Sequence, residues 1–570
     1  MDGATALIKT LENNGVEYIF GYSGGAAIPI FDALITSKTN IKMVLVRHEQ
    51  GAAHMADGYA RATGKLGVVL VTSGPGAGNT ITGLMTAQMD SVPILVISGQ
   101  QIRPMLGKDA FQEADIFDIS MPVVKHNYLV RNTNDIATIT SEAVTIATSG
   151  RPGTVLIDVP KDVSSGEFTA SLDDISIDLP GYQPKAIASD VDIKLAADII
   201  NNSQRPVILA GHGAVISEAK DELIQLAERI DASITTTLLG KGIINESHER
   251  ALGMLGMHGT AYANKTVVDS DLIISIGSRF DDRIIGQPDA FKLNKKIIHL
   301  DIDPSEIGKM IAPDVSLVGD AKESLQSLLP LIKTDPKPQW QKKNSNWKTE
   351  FELTFDPLVG LTMQEVFAEI DKQTESSAII TTDVGQHQMW AAQFFKTRDP
   401  LDWLSSGGAG TMGFGLPAAI GAQFARPNDL VIAIVGDGGF QMTMFELATA
   451  ALYKLPIKVF IMNNHYLGMV RQWQELFYDN RESGVDLEGN PDFVKLAESY
   501  ENVKGINIEK QDEVVDKIKE ALEYNDGPVV VNVEVVKSDN VYPMIPAGMR
   551  LEDMLVGPVE HKLEKPTGST

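Results

Sequence analysis

One stretch constrains the fold more than any other. An apolar run, Leu430-Val-Ile-Ala-Ile-Val435, closes on Gly436-Asp437-Gly438, and a second, Ile457-Lys-Val-Phe-Ile-Met462, closes on Asn463-Asn464. Short apolar runs rich in β-branched residues are the pattern of parallel strands buried on both faces. Helical spacing from Met442 to Leu452 lies between them, so the segment predicts a βαβ unit. Parallel strands bring their carboxyl ends to one edge, where open α/β sheets hold ligands. Asp437 and Asn464, 27 positions apart, therefore belong to a ligand edge. One carboxylate and one amide oxygen suit Mg²⁺, which completes its shell with phosphates and water. Gly436 and Gly438 allow a diphosphate to approach the backbone closely.

The rest of the chain repeats the theme. Its 570 residues predict about three domains. Block one, 1–165, has strand-like runs at 18–20, 42–46, 66–71, 93–97 and 154–158; block two, 190–330, has them at 205–210, 271–276 and 296–301. Block three, 355–540, has them at 378–382, 431–435, 457–462 and 529–535, and a tail spans 541–570. Helical segments between the runs make each block a doubly wound parallel α/β sheet. Polar stretches at Ser164–Ser189 and Lys333–Asn346 read as linkers, and the tail reads as either an ordered lid or a frayed end. A net charge of −26 argues against a nucleic-acid partner, and no apolar run reaches the roughly 18 residues that would cross a membrane. With no cysteine, disulfides, thiolate metal sites and cysteine nucleophiles are excluded. No signal segment precedes the first helical pattern, and a cytoplasmic location is expected.

Block one carries two glycine-rich loops after strands. Gly21-Tyr-Ser-Gly-Gly-Ala26 offers Gly24 and Gly25, and Ser73-Gly-Pro-Gly-Ala-Gly-Asn79 offers Pro75 and Asn79; either could cradle a ligand or be only a tight turn. Glu49 lies just past a strand and opens a helix with small residues on one face. Among apolar groups its carboxyl would be raised in pKa and useful for proton transfer, whereas the competing reading is a surface glutamate at a helix start. His48 and His54 do not make HExxH, and no block has GxGxxG with a ribose-binding acid downstream, which disfavours a zinc protease and an NAD dehydrogenase.

Taken together, the chain resembles the thiamine diphosphate (ThDP)-dependent decarboxylase/carboligase superfamily over essentially its whole length. Within it, the chain is most similar to the acetohydroxyacid (acetolactate) synthase large-subunit family. The strings that carry the resemblance are Arg47-His-Glu-Gln-Gly-Ala-Ala-His54, Asp109-Ala-Phe-Gln-Glu113, Ser278-Arg-Phe-Asp-Asp-Arg283, Gly410-Thr-Met-Gly-Phe-Gly415 and Gly468-Met-Val-Arg-Gln-Trp-Gln474. The resemblance implies ThDP, Mg²⁺ and FAD as cofactors. It makes Glu49 the partner of N1′ of the aminopyrimidine, Gly410 a backbone acceptor for the 4′-amino group, and Met412 the residue that bends the cofactor. Asp437, Asn464 and the carbonyl of Tyr466 become metal ligands. Gly24, Gly25, Pro75, Asn79, Val384, Gly385, Gln386, His387, Gly436, Gly438 and Gly439 become further ThDP contacts.

The implied reaction decarboxylates pyruvate and joins the two-carbon unit to a second 2-ketoacid, the first common step toward valine, leucine and isoleucine. Arg283 would clamp the second carboxylate, Trp473 and Met469 would line its pocket, and Phe111, Gln112 and Lys161 would line the substrate channel. Arg151, Met257, His258, Gly259, Thr260, Gly277, Arg279, Asp281, Asp301, Asp303 and Asp320 correspond to flavin contacts. Each active site would lie between two chains of a homodimer or homotetramer, with a separate regulatory small subunit. The chain departs from the family at Gln101-Ile102, where Val-Pro is usual, and at His465-Tyr466, which replace an acidic pair found in some members. Pyruvate oxidase and flavin-free catabolic acetolactate synthases remain rival assignments, as does a non-catalytic nucleotide-binding protein.

Overall fold

The structure, a computed structural model, describes residues 1–184, 187–356 and 359–558. It forms three α/β domains, each on a six-stranded, all-parallel sheet. The first sheet contains β1 (Tyr18–Gly21), β2 (Lys42–Leu45), β3 (Gly67–Val71), β4 (Ile94–Gln100), β5 (His126–Leu129) and β6 (Thr154–Pro160), ordered β2-β1-β3-β4-β6-β5. The central sheet contains β7 (Pro206–Ala210), β8 (Ser233–Thr236), β9 (Ala251–Met254), β10 (Leu272–Ile276), β11 (Lys296–Asp301) and β12 (Val315–Val318), ordered β12-β11-β10-β7-β8-β9. The third contains β13 (Ile379–Thr382), β14 (Trp403–Ser405), β15 (Val431–Gly436), β16 (Lys458–Asn463), β17 (Lys504–Ile508) and β18 (Val529–Glu534), ordered β14-β13-β15-β16-β18-β17.

Counted from each domain's own first strand, the first and third sheets share the order 2-1-3-4-6-5. The central sheet, read from its other edge, has the order 3-2-1-4-5-6 of dinucleotide-binding folds. Strand order reverses between β1 and β3, between β7 and β10, and between β13 and β15, and each reversal opens a crevice at the carboxyl ends.

The apolar runs read from the sequence are the interior strands other than β8, together with the edge strand β2. The structure adds β5, β8, β9, β12, β14 and β17, and all of these except β8 are sheet edges. An edge strand pairs on one side only and keeps polar residues, as in His126-Asn-Tyr-Leu129, so it lacks the continuous apolar signature. The helical run before β16 begins at Asp437 itself, continues through a 3₁₀ turn at Met444–Glu446 and ends at Leu452. The stretch expected as a second linker holds a helix, Pro338–Glu350, anchored by buried Trp340, whose indole donates to the Pro206 carbonyl at 3.0 Å. Only Trp340 and Asn344 of that helix are buried, so it carries no apolar stripe to read. The tail packs along the central domain: Ile545 donates to the Met257 carbonyl and Gln287 to that of Met549, while residues 559–570 lie outside the described residues. Among the described residues no helix is long and apolar enough to cross a membrane.

Helix Glu49–Thr63 of the first domain crosses helix Gly415–Ala425 of the third with the backbones in contact. A Cβ on Gly58 would lie 2.2 Å from the Ala418 carbonyl oxygen, and one on Gly421 would lie 1.9 Å from that of Met55. Both helices contribute alanines to one apolar core that runs through both domains. Of the small residues anticipated on one face of helix Glu49–Thr63, Gly58 serves the domain junction, whereas Ala53 and Ala56 pack on Gly83 and Gly67 of the first domain, and nearly the whole circumference is buried. Gly421→Ala should cost about 1–3 kcal/mol of unfolding free energy through overpacking, measured by urea titration. Unchanged stability would show that the helices can separate at no cost.

Candidate active site

The crevice between β13 and β15 is floored by glycine. A Cβ on Gly385 or on Gly436 would fall 2.9 Å from the His387 ring, so only bare backbone lets that ring lie there. His387 is buried with its Nε2 unpartnered, and burial lowers its pKa to about 3, leaving a neutral imidazole. Asp437 opens its helix directly after β15, and burial pushes its carboxyl up to about 6 against the pull of a hydrogen bond from Asn490 Nδ2 at 2.8 Å. Asn464 Oδ1 accepts the Tyr466 N–H at 3.1 Å, and its Nδ2 reaches Gln386 Oε1 at 3.4 Å. Among the described residues no three His, Asp or Glu side chains gather as a metal cluster. Asp437 with Asn464 provides one carboxylate and one amide, a set that suits Mg²⁺ carrying phosphate and water. Met412 projects its methyl toward Gly438, 3.5 Å from where a Cβ would stand. The loop that carries Gly410 (φ +62°) and Met412 is tied down by buried Asp383, which accepts from the N–H groups of Val384, Gly413 and Gly415.

This crevice opens into a cavity of about 1350 Å³ that continues to the carboxyl ends of β7 and β10 in the central domain. Its walls include Val384, Gly385, Gln386, His387, Gly410, Met412, Gly436–Gly439, Asn464, Tyr466, Met469 and Trp473 from the third domain. The central domain contributes Met257, His258, Gly277, Arg279, Asp281, Arg283, Asp301 and Asp320, and Arg151 enters from the first. The volume exceeds the roughly 300–1,000 Å³ of an ordinary single-ligand pocket. Arg151 bridges Asp303 at 3.0 Å and Glu306 at 2.8 Å. Asp320 accepts from the Ser217 hydroxyl and caps helix Ala321–Leu328. Gly259, Thr260 and Asp303 are not among the cavity walls: Gly259 packs on the Met254 carbonyl, Thr260 caps helix Ala261–Asp269, and Asp303 is engaged by Arg151 and Ser305. Arg283 and Trp473, far apart in sequence and from different domains, meet with the guanidinium 5.6 Å from the indole centroid.

Glu49, Gly24, Gly25, Pro75, Asn79 and Gln112 are absent from that cavity and make a second cluster at the β1–β3 crevice. Glu49, 8% exposed, accepts from Asn79 Nδ2 at 2.9 Å. A Cβ on Gly76 would lie 3.3 Å from Glu49 Oε1, and one on Gly24 would strike the Thr72 side chain. The buried hydroxyls of Thr72 and Ser73 have no partner, which leaves a polar, glycine-walled recess beside the carboxylate. The loop at Gln112 (φ +56°) lies against Gly74. Phe111 points outward, 83% exposed, and Lys161 opens a short helix after β6; neither faces the large cavity.

A buried carboxylate thus lies in one crevice and a glycine-floored carboxylate–amide pair in another, the makings of a cofactor enzyme. Three family models match the chain in order: the N-terminal TPP binding domain of thiamine pyrophosphate enzymes over residues 1–119, their central domain over 193–328, and their C-terminal TPP binding domain over 383–533. Full-length relatives agree. The acetolactate synthase large subunit of Cyanidium caldarium is 49% identical over 567 residues, covering 97% of this chain and 96% of the relative. That of Porphyra purpurea is 47% identical over 564 residues (97% and 95%), and that of Haemophilus influenzae 43% over 565 (98% of each). The chain belongs to the acetolactate synthase large-subunit family of thiamine pyrophosphate enzymes.

Sequence reasoning passed over Asp383, Asn490 and Glu446. Asp383 directly precedes the Val384-Gly-Gln-His387 string and was open to reading there, whereas Asn490 arrives from an irregular loop with no motif. Glu446 is buried in the third domain, yet it accepts the backbone N–H groups of Arg47 (3.1 Å) and His48 (3.0 Å), the turn that presents Glu49. Burial pushes its carboxyl from 4.5 up to about 7, although the hydrogen bond from Thr449 and those backbone donors pull it down. A raised carboxyl holds its proton more tightly in the folded chain, so its contribution to stability is full below pH 4.5 and is lost as pH rises through about 7. Glu446→Gln should therefore gain stability relative to wild type between pH 5 and pH 7.5, read by urea unfolding at each pH. A constant difference between the two proteins would show that this carboxyl does not titrate in that range.

Proposed function

We propose that the chain catalyses acetolactate synthesis, releasing CO₂ from pyruvate and joining the two-carbon remainder to a second 2-ketoacid. Pyruvate as acceptor gives 2-acetolactate and 2-ketobutyrate gives 2-aceto-2-hydroxybutyrate. The observation that carries this reading is the Arg283–Trp473 pair on the wall of the cavity that holds Asp437 and Met412. ThDP, when bound, supplies a carbon nucleophile for the keto group and an electron sink for the charge left as CO₂ departs. Asp437, Asn464 and the Tyr466 carbonyl would hold Mg²⁺, with the bare backbone of Gly436 and Gly438 and the neutral His387 imidazole facing the diphosphate. Glu49 would hold a proton at N1′ of the aminopyrimidine, and the Gly410 carbonyl would accept from its amino group.

Arg283 is well suited to a carboxylate. Its side chain is 57% exposed and its ion pair with Asp282 is a loose 3.7 Å, so the guanidinium is available for two parallel hydrogen bonds. Trp473 would set the width for the acceptor's alkyl group, where one methylene discriminates by about 1–3 kcal/mol. FAD is the proposed occupant of the central crevice, in keeping with its dinucleotide-type strand order, its Gly277 turn and Arg151. Because Glu49 lies outside the cavity that holds Asp437, we assign each active site to two chains, hence at least a homodimer. The relatives' designation as large subunits supports a small regulatory partner, and the cytoplasm is the proposed location.

Purified protein given pyruvate, Mg²⁺ and ThDP should form acetolactate without consuming oxygen; peroxide and acetyl phosphate would instead identify an oxidase. Glu49→Gln should lower turnover by at least about 100-fold while ThDP still binds in calorimetry, and wild-type turnover would remove Glu49 from the mechanism. Trp473→Leu should reduce the preference for 2-ketobutyrate by up to about tenfold in competition assays. An equal loss of pyruvate decarboxylation itself would contradict an acceptor-only role.

A further inference from the structure

Helix Ile81–Met89 of the first domain ends on Asp90, which lies beside the cavity yet belongs to none of the motifs above. The carboxylate is buried, and it reaches across to the third domain. Its Oδ2 accepts the Gly407 N–H at 3.0 Å and its Oδ1 accepts the Gly408 N–H at 2.7 Å. One turn earlier on the same helix face, the Thr86 hydroxyl meets the Thr411 hydroxyl at 2.6 Å. Thr86 also donates to the Thr82 carbonyl at 2.7 Å, so Thr411 is the donor in the pair. Two clamps one helical turn apart therefore bracket Gly410.

The clamp is built for charge as well as shape. Arg61 Nη2 lies 2.8 Å from Asp90 Oδ2, and its Nη1 donates to the Ser405 carbonyl at 2.9 Å, just ahead of the gripped loop. Asp57 pairs with the other side of the same guanidinium. A buried carboxylate of this kind is tolerable only when paired and hydrogen-bonded. Gly408 must stay bare to come this close, because a Cβ there would stand 2.9 Å from both Asp90 Oδ1 and Arg279 Nη2. From the central domain, His212 Nδ1 lies 2.7 Å from the Asp90 carbonyl oxygen, so all three domains meet at one residue.

We propose that Asp90, with Thr86 as its second point, is a positioning residue that fixes the Gly407–Met412 loop against the cofactor. The inference rests on the reading in which Gly410 and Met412 contact ThDP. The first domain then has two tasks: Glu49 serves the site shared with the partner chain, while Asp90 and Thr86 shape the diphosphate half carried by their own chain. A backbone held at two points cannot drift, and an error of an ångström in a positioned group is costly to rate.

The test is a calorimetric titration of ThDP, with Mg²⁺ present, into the purified full-length chain and its Asp90→Asn and Thr86→Val variants. Loss of the charged acceptor in Asp90→Asn should weaken ThDP binding about tenfold or more. It should also lower kcat with KM for pyruvate within about threefold of wild type. Thr86→Val should shift both in the same direction by less. If both variants bind ThDP within about twofold of wild type and only the thermal midpoint falls, the residues are merely structural and the proposal is overturned. Should Asp90→Asn fail to fold, Thr86→Val decides by the same criterion. No ketoacid enters the titration, so a wild-type protein that makes no acetolactate refutes the proposed reaction and leaves this result readable.

Discussion

Where helix Glu49–Thr63 crosses helix Gly415–Ala425, Gly58 and Gly421 remove the side chains that would hold the helices apart, and backbone rests on backbone. A protein interior is packed densely enough that such a contact has one register. It fixes the first domain on the third, and with it everything attached to either helix. Glu49 begins the first helix, and the loop of Gly410 and Met412 leads directly into the second. Glu446 and the Arg61–Asp90 pair add polar ties at the two ends of the same junction, one at the turn before Glu49 and one at the loop after β14. Dispersion supplies the attraction across the seam, while the buried charges specify its alignment.

The large cavity depends on that junction without being part of it. Its floor is third-domain glycine, one wall is the central domain's β7–β10 crevice, and the first domain closes it with Arg151 and Asp90. The central domain has an apolar core of its own; Arg151 and His212 tie it to the first domain through polar contacts, Met254 joins the third domain's core, and Ile545 and Leu551 of the tail pack into its second apolar cluster. Arg283 and Trp473 come from different domains, so the space between them is an interdomain dimension rather than a feature of one loop.

The sequence was most legible where a strand is apolar throughout. Interior strands such as Val431–Gly436 are apolar along their length, and their ends carry Asp437 and Asn464 to the ligand edge by topology alone. Edge strands left no such trace: Trp403–Ser405 is buried but only three residues long, and Lys504–Ile508 keeps half-buried polar residues beside its isoleucines. Site residues on glycine-rich strings were legible for the same reason as the interior strands: close approach permits few substitutes. Asn490, Glu446 and Asp90 were not, since their meaning comes from partners tens to hundreds of positions away. Gly259 and Thr260 belong to a legible string, yet the structure commits them to a turn and a helix cap.

The separation of Glu49 from the Asp437 cavity has a consequence in mass action. On the two-chain reading, a cofactor held at both ends is a ligand of the assembled pair alone, since neither chain offers it a complete seat. Subunit association and cofactor occupancy then become one linked equilibrium, each stabilising the other by the free energy of the shared contact. Dilution would strip the cofactor, and cofactor would titrate the chains together. On that reading the protein's working concentration would be a determinant of its affinity, through the placement of a single glutamate.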